Sequence, residues 1–533
     1  MRSECLPFTQ IPHTSRLFAD FLYHYDRVRA FYPHEPLSRE WAAGQAQTIQ
    51  YDPERRSRMA DILGRQNRSW GASEATLRNI DRLRRGASAV VTGQQVGLFG
   101  GPAYSIYKAL TAVKVAEEFS QAGVDSVPVF WLATEDHDFA EIATAVLPGE
   151  RGELERITLA STAPQPDLPV GSIALGPQVA EAVKHAREIL GDSAAADVLA
   201  QCYTPDTTWG SAFARLFCRV FSRLGLVVLD PSDPDVHRIG APIFSAVIER
   251  ATELNRAVTE RGKALTAAGY HEQVKVTSAS TFLFRMVNGE RVALRKVNGG
   301  FAAGEEKFSA NDLAKRAADA PEEFSASAVL RPVLQDFLLP TVAACGGPAE
   351  IAYYAQSGPL FEALLGRVTP ILPRFSATLV DPREARVLDK YGIGVADLVR
   401  GGVAAELLAS RALPAQLEEQ FAGAMESLNQ SVSGVTESLD QLDHTLVEAA
   451  NRTASKMRYQ LQRLHGRAAR ALLRRSEVIA GHAAQLTAAI YPDGGLQERL
   501  IGGIYLLARY PDLLDTLQPA VGTSCPDHKI IRL

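Results

Sequence analysis

The spacing of apolar positions changes several times along the chain, and each change predicts a different kind of element. The first 85 residues read mostly as helix. Leu77, Ile80 and Leu83 recur at helical spacing behind Ser73, a suitable N-cap, so a helix is expected through Arg84. At Ala87–Thr92 the texture becomes a short continuous β-branched run, which suits a strand buried on both faces of a parallel sheet. A glycine-rich turn follows. The next stripe (Ile106, Ala109, Val113, Ala116) predicts a helix over 105–119, and Val127–Leu132 is a second buried strand. Strand, turn, helix and strand within about 45 residues form a βαβ unit, whose crossover is right-handed by the general rule.

The pattern recurs in an amphipathic helix over 209–224 that leads into a strand at 226–229, and in short strands at 341–344 and 369–372 flanking a helix that begins near Pro348. Residues 145–205 are rich in Pro, Ala and Gly with weak periodicity and read as an insertion. Thr281–Val287 and Arg291–Val297 flank Asn288–Gly289, a hairpin signal, and a second Asn–Gly lies at 298–299. From about residue 415, apolar residues from Leu417 to Ala468 alternate mostly three and four apart without a proline. That is a coiled-coil seam, and a helix over 474–490 is expected to return along it. The end of the seam is basic (Arg452, Lys456, Arg458, Arg463, Arg467, Arg470, Arg474, Arg475). This is either a solvated face or a place where arginines meet a phosphate or a partner chain.

Composition narrows the class. A chain of 533 residues exceeds one ordinary core, and 46% hydrophobic with 22% charged residues is a globular balance. A net charge of −5 gives no general attraction to nucleic acid or anionic membrane, so any basic site is local. Five scattered cysteines lack metal-type spacing and are too few for a disulfide framework, which fits a reducing compartment. The N-terminus has no apolar signal segment and no run of 18 apolar residues occurs, so a cytoplasmic protein is expected.

Three constellations carry candidate chemistry. The first is the turn Thr92–Pro102 with Gly93, Gln94, Gln95, Gly97 and Gly101, running into a helix that carries Lys108. Closely spaced glycines between a buried strand and a helix let backbone approach a ligand and leave N–H groups for an anion, or simply pack helix on strand. The spacing is neither a P-loop nor a dinucleotide fingerprint. The second is Glu135, Asp136, His137 and Asp138 directly after the second strand. In open α/β sheets this edge faces the ligand crevice, so the cluster can hold an amine, supply a general base or bind a cation; otherwise it is a solvated acidic loop. The third joins Arg331, Gln335 and Asp336 to Gly346–Glu350 and Arg374. The arginines suit carboxylates, either on a ligand or in pairs that tie segments together. The isolated histidines, His237 among them, have no partner spacing and read as structural or surface residues, with His528 a weak exception.

The stretches VVTGQQVGLFGGPAYSIYKAL (90–110), PVFWLATEDHDFAEI (128–142), LRPVLQDFLLPT (330–341), GGPAEIAYYAQ (346–356), TPILPRFSATLVD (369–381) and LQER (496–499), with His528 in the tail, resemble the BshC family. The resemblance implies an α/β fold: a Rossmann-like core similar to class I nucleotidyltransferases and aminoacyl-tRNA synthetases, two connective inserts, and a long antiparallel α-helical coiled coil that makes a homodimer. It divides the chain into N-terminal helices and the first half of the core (1–144), a first insert (145–208), core (209–265), a hairpin-rich second insert (266–328), core (329–385), coiled-coil helices (386–490) and a C-terminal segment returning to the core (491–533).

The implied activity is ligation of cysteine to the amine of glucosaminyl malate, forming bacillithiol. An amine cannot displace a carboxylate oxygen unaided, so ATP is expected to activate the cysteine carboxyl. On this reading Glu135, Asp136, His137 and Asp138 carry the catalysis. Gly93, Gln94, Gln95, Gly97, Gly101 and Lys108 cradle the anion, Arg331 and Arg374 meet the malate carboxylates, and Gln335, Asp336 and Glu350 complete the binding set. HIGH and KMSKS signatures are absent, and no Cys/His cluster points to a metal. A nucleotide-binding dimeric scaffold without catalysis is the alternative from another class. It explains the basic coil but not four polar residues gathered at a strand end. A dinucleotide oxidoreductase fits less well, because the glycine spacing is wrong for it.

Overall fold

The computed structural model describes residues 2–149, 152–163, 167–400, 403–522 and 525–533. Its centre is a five-stranded parallel sheet of β1 (Ser88–Gln94), β2 (Ser126–Leu132), β3 (Val227–Leu229), β4 (Thr341–Gly346) and β5 (Ile371–Pro373), in the order β5-β4-β1-β2-β3. Almost every residue of β1, β2, β3 and β4 is buried, which is why they read as unbroken apolar runs and not as alternating ones. Helix α1 (Tyr104–Gln121) links β1 to β2 on one face; α2 (Trp209–Val220), α3 (Pro234–Glu249) and α4 (Pro348–Leu365) complete the main layers. Phe130 of β2 meets Phe213 and Phe217 of α2 with ring centroids 5.9 and 4.8 Å apart, anchoring that helix to the sheet.

A second, antiparallel sheet spans 280–326. The turn Asn288–Gly289 has positive φ at both residues (52° and 90°), the geometry of a type I′ hairpin, and that preference is why Asn–Gly marks it. A third, small sheet joins the two ends of the chain. Arg2–Leu6 runs antiparallel to His528–Arg532, which lies parallel to Ala377–Val380. Thr144–Pro148 pairs antiparallel with Leu154–Thr158, and helices follow at Val179–Leu190 and Ala194–Cys202. The strand at Arg2–Leu6 has no counterpart in the sequence reading, where this stretch was grouped with helices.

The long seam is corrected in one respect. The helix α5 (Ala415–Leu442) stops, the chain turns, and α6 (Leu446–Arg475) runs beside it. Asp443 Oδ1 accepts from the Thr445 N–H and hydroxyl at 2.9 and 2.7 Å, a local bond that competes with helix continuation. Glu418 lies 2.7 Å from His465, and Asn429 accepts from Arg458 at 3.2 Å. The segment expected to return along the seam is instead α7 (Glu477–Ile490), a shorter helix packed on helices at Pro382–Tyr391 and Ala404–Arg411. These helices belong to the body, so the seam occupies only part of 386–490. No helix among the described residues is long and apolar enough to cross a membrane.

Candidate active site

The C-terminal ends of β1, β2, β4 and β5 open into a cleft of about 580 Å³. Parallel strands place all four ends on one edge, which brings the three sequence constellations to a common space. Gly93, Gln94, Gln95, Lys108, Glu135, Asp136, His137, Arg331, Glu350 and Arg374 all line it.

The glycine turn divides in two. Gly93 faces the cleft where β1 ends, and a Cβ there would stand 2.9 Å from the Trp131 carbonyl oxygen, so the close approach of β1 and β2 requires glycine. The rest of the turn faces the core. A Cβ on Gly97 would stand 3.0 Å from the Gly101 Cα, and Gly101 itself has φ of +70°. Gly100 N donates to the Tyr203 hydroxyl at 3.1 Å. Gly97 and Gly101 therefore shape the backbone and do not line the cleft, a correction to their expected place in an anion cradle.

Lys108 lies in the cleft floor, almost fully buried. Burial pushes its pKa down, and Glu350 partly restores it. Its Nζ donates to Gly93 O and Gln94 Oε1, both at 2.8 Å, and meets Glu350 Oε2 at 2.5 Å. Glu350 Oε2 also accepts from Gly347 N at 2.8 Å, closing the first turn of α4. With its three donors taken, Lys108 fixes the ends of β1 and α4 relative to each other and has no proton left for a phosphate.

The acidic cluster is divided by its partners. Asp136 Oδ2 accepts from Gln95 Nε2 at 2.8 Å, and Gln95 also reaches Glu141 at 2.7 Å. Asp136 Oδ1 accepts from the His137 N–H at 2.8 Å. Glu135 Oε1 lies 2.9 Å from Nε2 of buried His237, whose Nδ1 is 3.0 Å from the Pro321 carbonyl. Burial opposes charge on His237, but the bonds to Glu135 and Pro321 outweigh it and raise its pKa. Arg291 Nη1 lies 3.2 Å from His137 Nδ1. Since guanidinium only donates, Nδ1 accepts and the His137 proton sits on Nε2, an assignment drawn from the hydrogen-bond geometry. Asp138 is exposed and caps the short helix Phe139–Ile142 by accepting from Glu141 N at 3.3 Å; it does not line the cleft.

The arginines differ too. Arg331 donates to Gln335 Oε1 at 3.1 Å and to the Tyr353 hydroxyl. Gln335 supports it from the buried side, outside the cleft lining. Asp336 is buried and bound to Arg367 at 2.6 Å and to Thr369 at 2.7 Å. Burial, opposed by Arg367, raises its pKa to about 6. It ties α4's neighbouring segments together and cannot meet a substrate, which corrects its expected binding role. Arg374 pairs with fully buried Glu498 at 2.6 Å. Glu498 in turn accepts from Ser376 Oγ and Ala377 N at 2.9 Å each. His528 Nδ1 and Nε2 lie 2.7 and 2.8 Å from Ser376 Oγ and Thr378 Oγ1. Burial lowers the His528 pKa to about 4, so the ring is neutral.

Five cations (Lys108, Arg291, Arg331, Arg374, Arg499) and four carboxylates (Glu135, Asp136, Glu141, Glu350) line the cleft. The near balance means that an anion is held by individual free groups and not by a general field. Arg499 stands out: it is exposed and its side chain has no hydrogen-bond or ion-pair partner among the described residues. It also lines an adjoining chamber of about 440 Å³, which shares Gly347, Pro348, Ala349 and Arg374 with the cleft and is walled by Phe8–Phe18. Arg499, Arg291, Tyr104, Tyr353 and His237 were not among the expected site residues. The quoted family stretches carried a sequence signal for Tyr104, Tyr353 and Arg499, whereas Arg291 and His237 lie outside them.

Residues 1–375 match the model described as bacillithiol biosynthesis BshC, N-terminal Rossmann-like domain, and 377–533 match bacillithiol biosynthesis BshC, C-terminal coiled-coil domain. A protein of Koribacter versatilis is 47% identical and one of Solibacter usitatus 36% identical, each over the full length of both chains. One of Salinibacter ruber is 35% identical over 97% of this chain and 96% of its own. Each is named "Putative cysteine ligase BshC".

Proposed function

The chain belongs to the BshC family of bacillithiol biosynthesis, and from that premise we propose that its cleft joins the cysteine carboxyl to the amine of glucosaminyl malate as an amide. The observation that carries this reading is the placement of Glu135, Asp136 and His137 together with Arg331, Arg374 and Arg499 around one cleft at the C-terminal strand ends. Amide formation needs both kinds of group: carboxylates for amines, and cations for carboxylates or a leaving phosphate.

Bound ATP would supply the activation, taking the carboxylate oxygen onto phosphorus so that it leaves with a phosphate or nucleotide fragment when the amine attacks. The chain's own residues do the rest. Glu135 is oriented by His237 through Oε1, and its Oε2, without a partner among the described residues, grips a substrate ammonium. Asp136 is the base that removes the proton from the attacking amine, since the resting bonds leave His137 Nδ1 occupied by Arg291. His137 Nε2–H then donates to the oxygen on which charge grows. Arg499, and Arg374 behind it, meet the acceptor's carboxylates. The nucleotidyltransferase-like character of the core rests on the same strand-edge placement.

The coil reads as an antiparallel coiled coil, supported by the pairing of Glu418 with His465 and of Asn429 with Arg458. Val435, Met457 and Leu464 remain about half exposed in the single chain, and a second copy that covers them makes a homodimer.

The test is mass spectrometry of the full chain with cysteine, glucosaminyl malate and ATP, beside a reaction without ATP. Bacillithiol that forms only with ATP supports the ligase, and Asp136→Asn should lower its rate at least a hundredfold. Unaltered activity in Asp136→Asn removes that residue as the base. No product from folded protein favours the nucleotide-binding scaffold.

A further inference from the structure

The two ends of the chain bring two cysteines together. Cys5 lies in the strand Arg2–Leu6, opposite Lys529 in the antiparallel register with His528–Arg532. Cys525 precedes that last strand by three residues. Their Sγ atoms are 2.6 Å apart, well inside the separation of two sulfurs that merely touch. Both segments are held in place. Cys5 is fixed by strand pairing, and next to Cys525 the Asp527 Oδ1 accepts from the Tyr23 hydroxyl at 2.6 Å, which accepts from Phe8 N at 2.9 Å. Cys5 is exposed and Cys525 half-buried, whereas Cys202, Cys218 and Cys345 are buried.

We propose that Cys5 and Cys525 form a reversible disulfide with hydrogen peroxide as oxidant, a modification site that staples the first strand to the last. Asp527 completes a trio whose ligand atoms lie within 4.8 Å of one another, so a bound cation is the competing use. Two thiolates on one tetrahedral zinc, each about 2.3 Å from it, sit close to 4 Å apart. The observed separation is far shorter, and the pair is closer to bonding with each other than to sharing a metal.

The chemistry balances as follows. The Cys5 thiolate attacks peroxide, the O–O bond breaks, and a sulfenic acid and hydroxide result. The Cys525 thiolate attacks the sulfenic sulfur and displaces its oxygen as hydroxide. After protonation the two thiols and one peroxide have given one disulfide and two waters. A dithiol reverses it. The staple has a position of consequence: Phe8, His13 and Ser15, just beyond Cys5, wall the adjoining chamber, and His528, just beyond Cys525, bonds the Ser376 that shares Glu498 with Arg374.

The test uses the full reduced chain treated with peroxide, then denatured, alkylated and mapped under non-reducing conditions. Titratable thiols should fall from five to three, with a linked peptide pair containing Cys5 and Cys525 that dithiothreitol separates. The linked pair should vanish in Cys5→Ser and in Cys525→Ser, and persist in Cys202→Ser. Five remaining thiols, or Cys5 oxidised to sulfinic acid beside alkylatable Cys525, overturns the proposal. So does purified protein carrying one zinc that Cys525→Ser releases.

Discussion

The contact between Lys108 and Glu350 makes a quantitative prediction. Their side chains are only 6% and 16% exposed, so removing either partner strands a charge in a poorly solvated place. The cost is bounded, because the stranded group can neutralise instead. An ordinary carboxylate left alone at pH 7 can take a proton for about 1.4 kcal/mol per unit between 7 and a value near 4.3, or about 3.8 kcal/mol. Lys108 left alone can lose one for at most about 4.8 kcal/mol by the same arithmetic from 10.4. Arg331 and Arg374 near Glu350 reduce the first figure. The Gly93 and Gln94 oxygens still facing Lys108 reduce the second.

Lys108→Met and Glu350→Gln should therefore each destabilise the N-terminal domain by about 3 kcal/mol. The double variant, with no charge left to strand, should lose only about 1–2 kcal/mol for the unpaired Gly93 carbonyl. The coupling between the two is then about 4 kcal/mol. The assay is the urea midpoint followed by tryptophan fluorescence, for which Trp131 and Trp209, both nearly fully buried, are internal probes. A pH series adds a sign. In Glu350→Gln the unfolded chain binds a proton on Lys108 that the folded chain resists, so the deficit should shrink as pH rises from 7 to 9. Single losses that add within about 0.5 kcal/mol in the double variant would refute the idea that these residues share a buried charge.

Two further expectations follow from neighbouring groups. Burial holds the His528 pKa near 4, below its unfolded value near 6.5, so the unfolded chain binds the extra proton as pH falls between them. The His528 contribution should fall by about 3 kcal/mol over that window and stay constant above it, opposed below about pH 6 by Asp336, whose raised pKa works with the opposite sign. In His528→Asn the urea midpoint should lose this acid slope, and a wild-type-like slope would show that His528 is not its source. Arg499→Ala, at an exposed position, should leave that midpoint unchanged while raising KM for an anionic substrate about ten- to a hundredfold, the worth of a charge-assisted bond. Unchanged KM for every substrate would remove Arg499 from the binding set.

The sequence by itself determined the parallel strands, because strands covered on both faces must be continuously apolar. It marked the hairpin turns, because Asn–Gly tolerates positive φ. It placed Glu135–His137 and Arg374 at strand ends, and in a parallel sheet those ends share one edge. The family motifs added the roles. The tertiary structure decided which of these side chains are free. Asp136 and Asp336 look alike as residues, yet one faces the cleft and the other is consumed by Arg367 and Thr369. Lys108 reads as a phosphate ligand until Gly93, Gln94 and Glu350 are seen to occupy it. His237 and Arg291 reach Glu135 and His137 across long separations in sequence, and no periodicity encodes such a contact. The meeting of Cys5 with Cys525 is of the same kind. Local pattern fixes elements because burial and backbone conformation are local constraints; the partners of polar groups are fixed by how distant segments dock, and those partners settle each group's charge and availability.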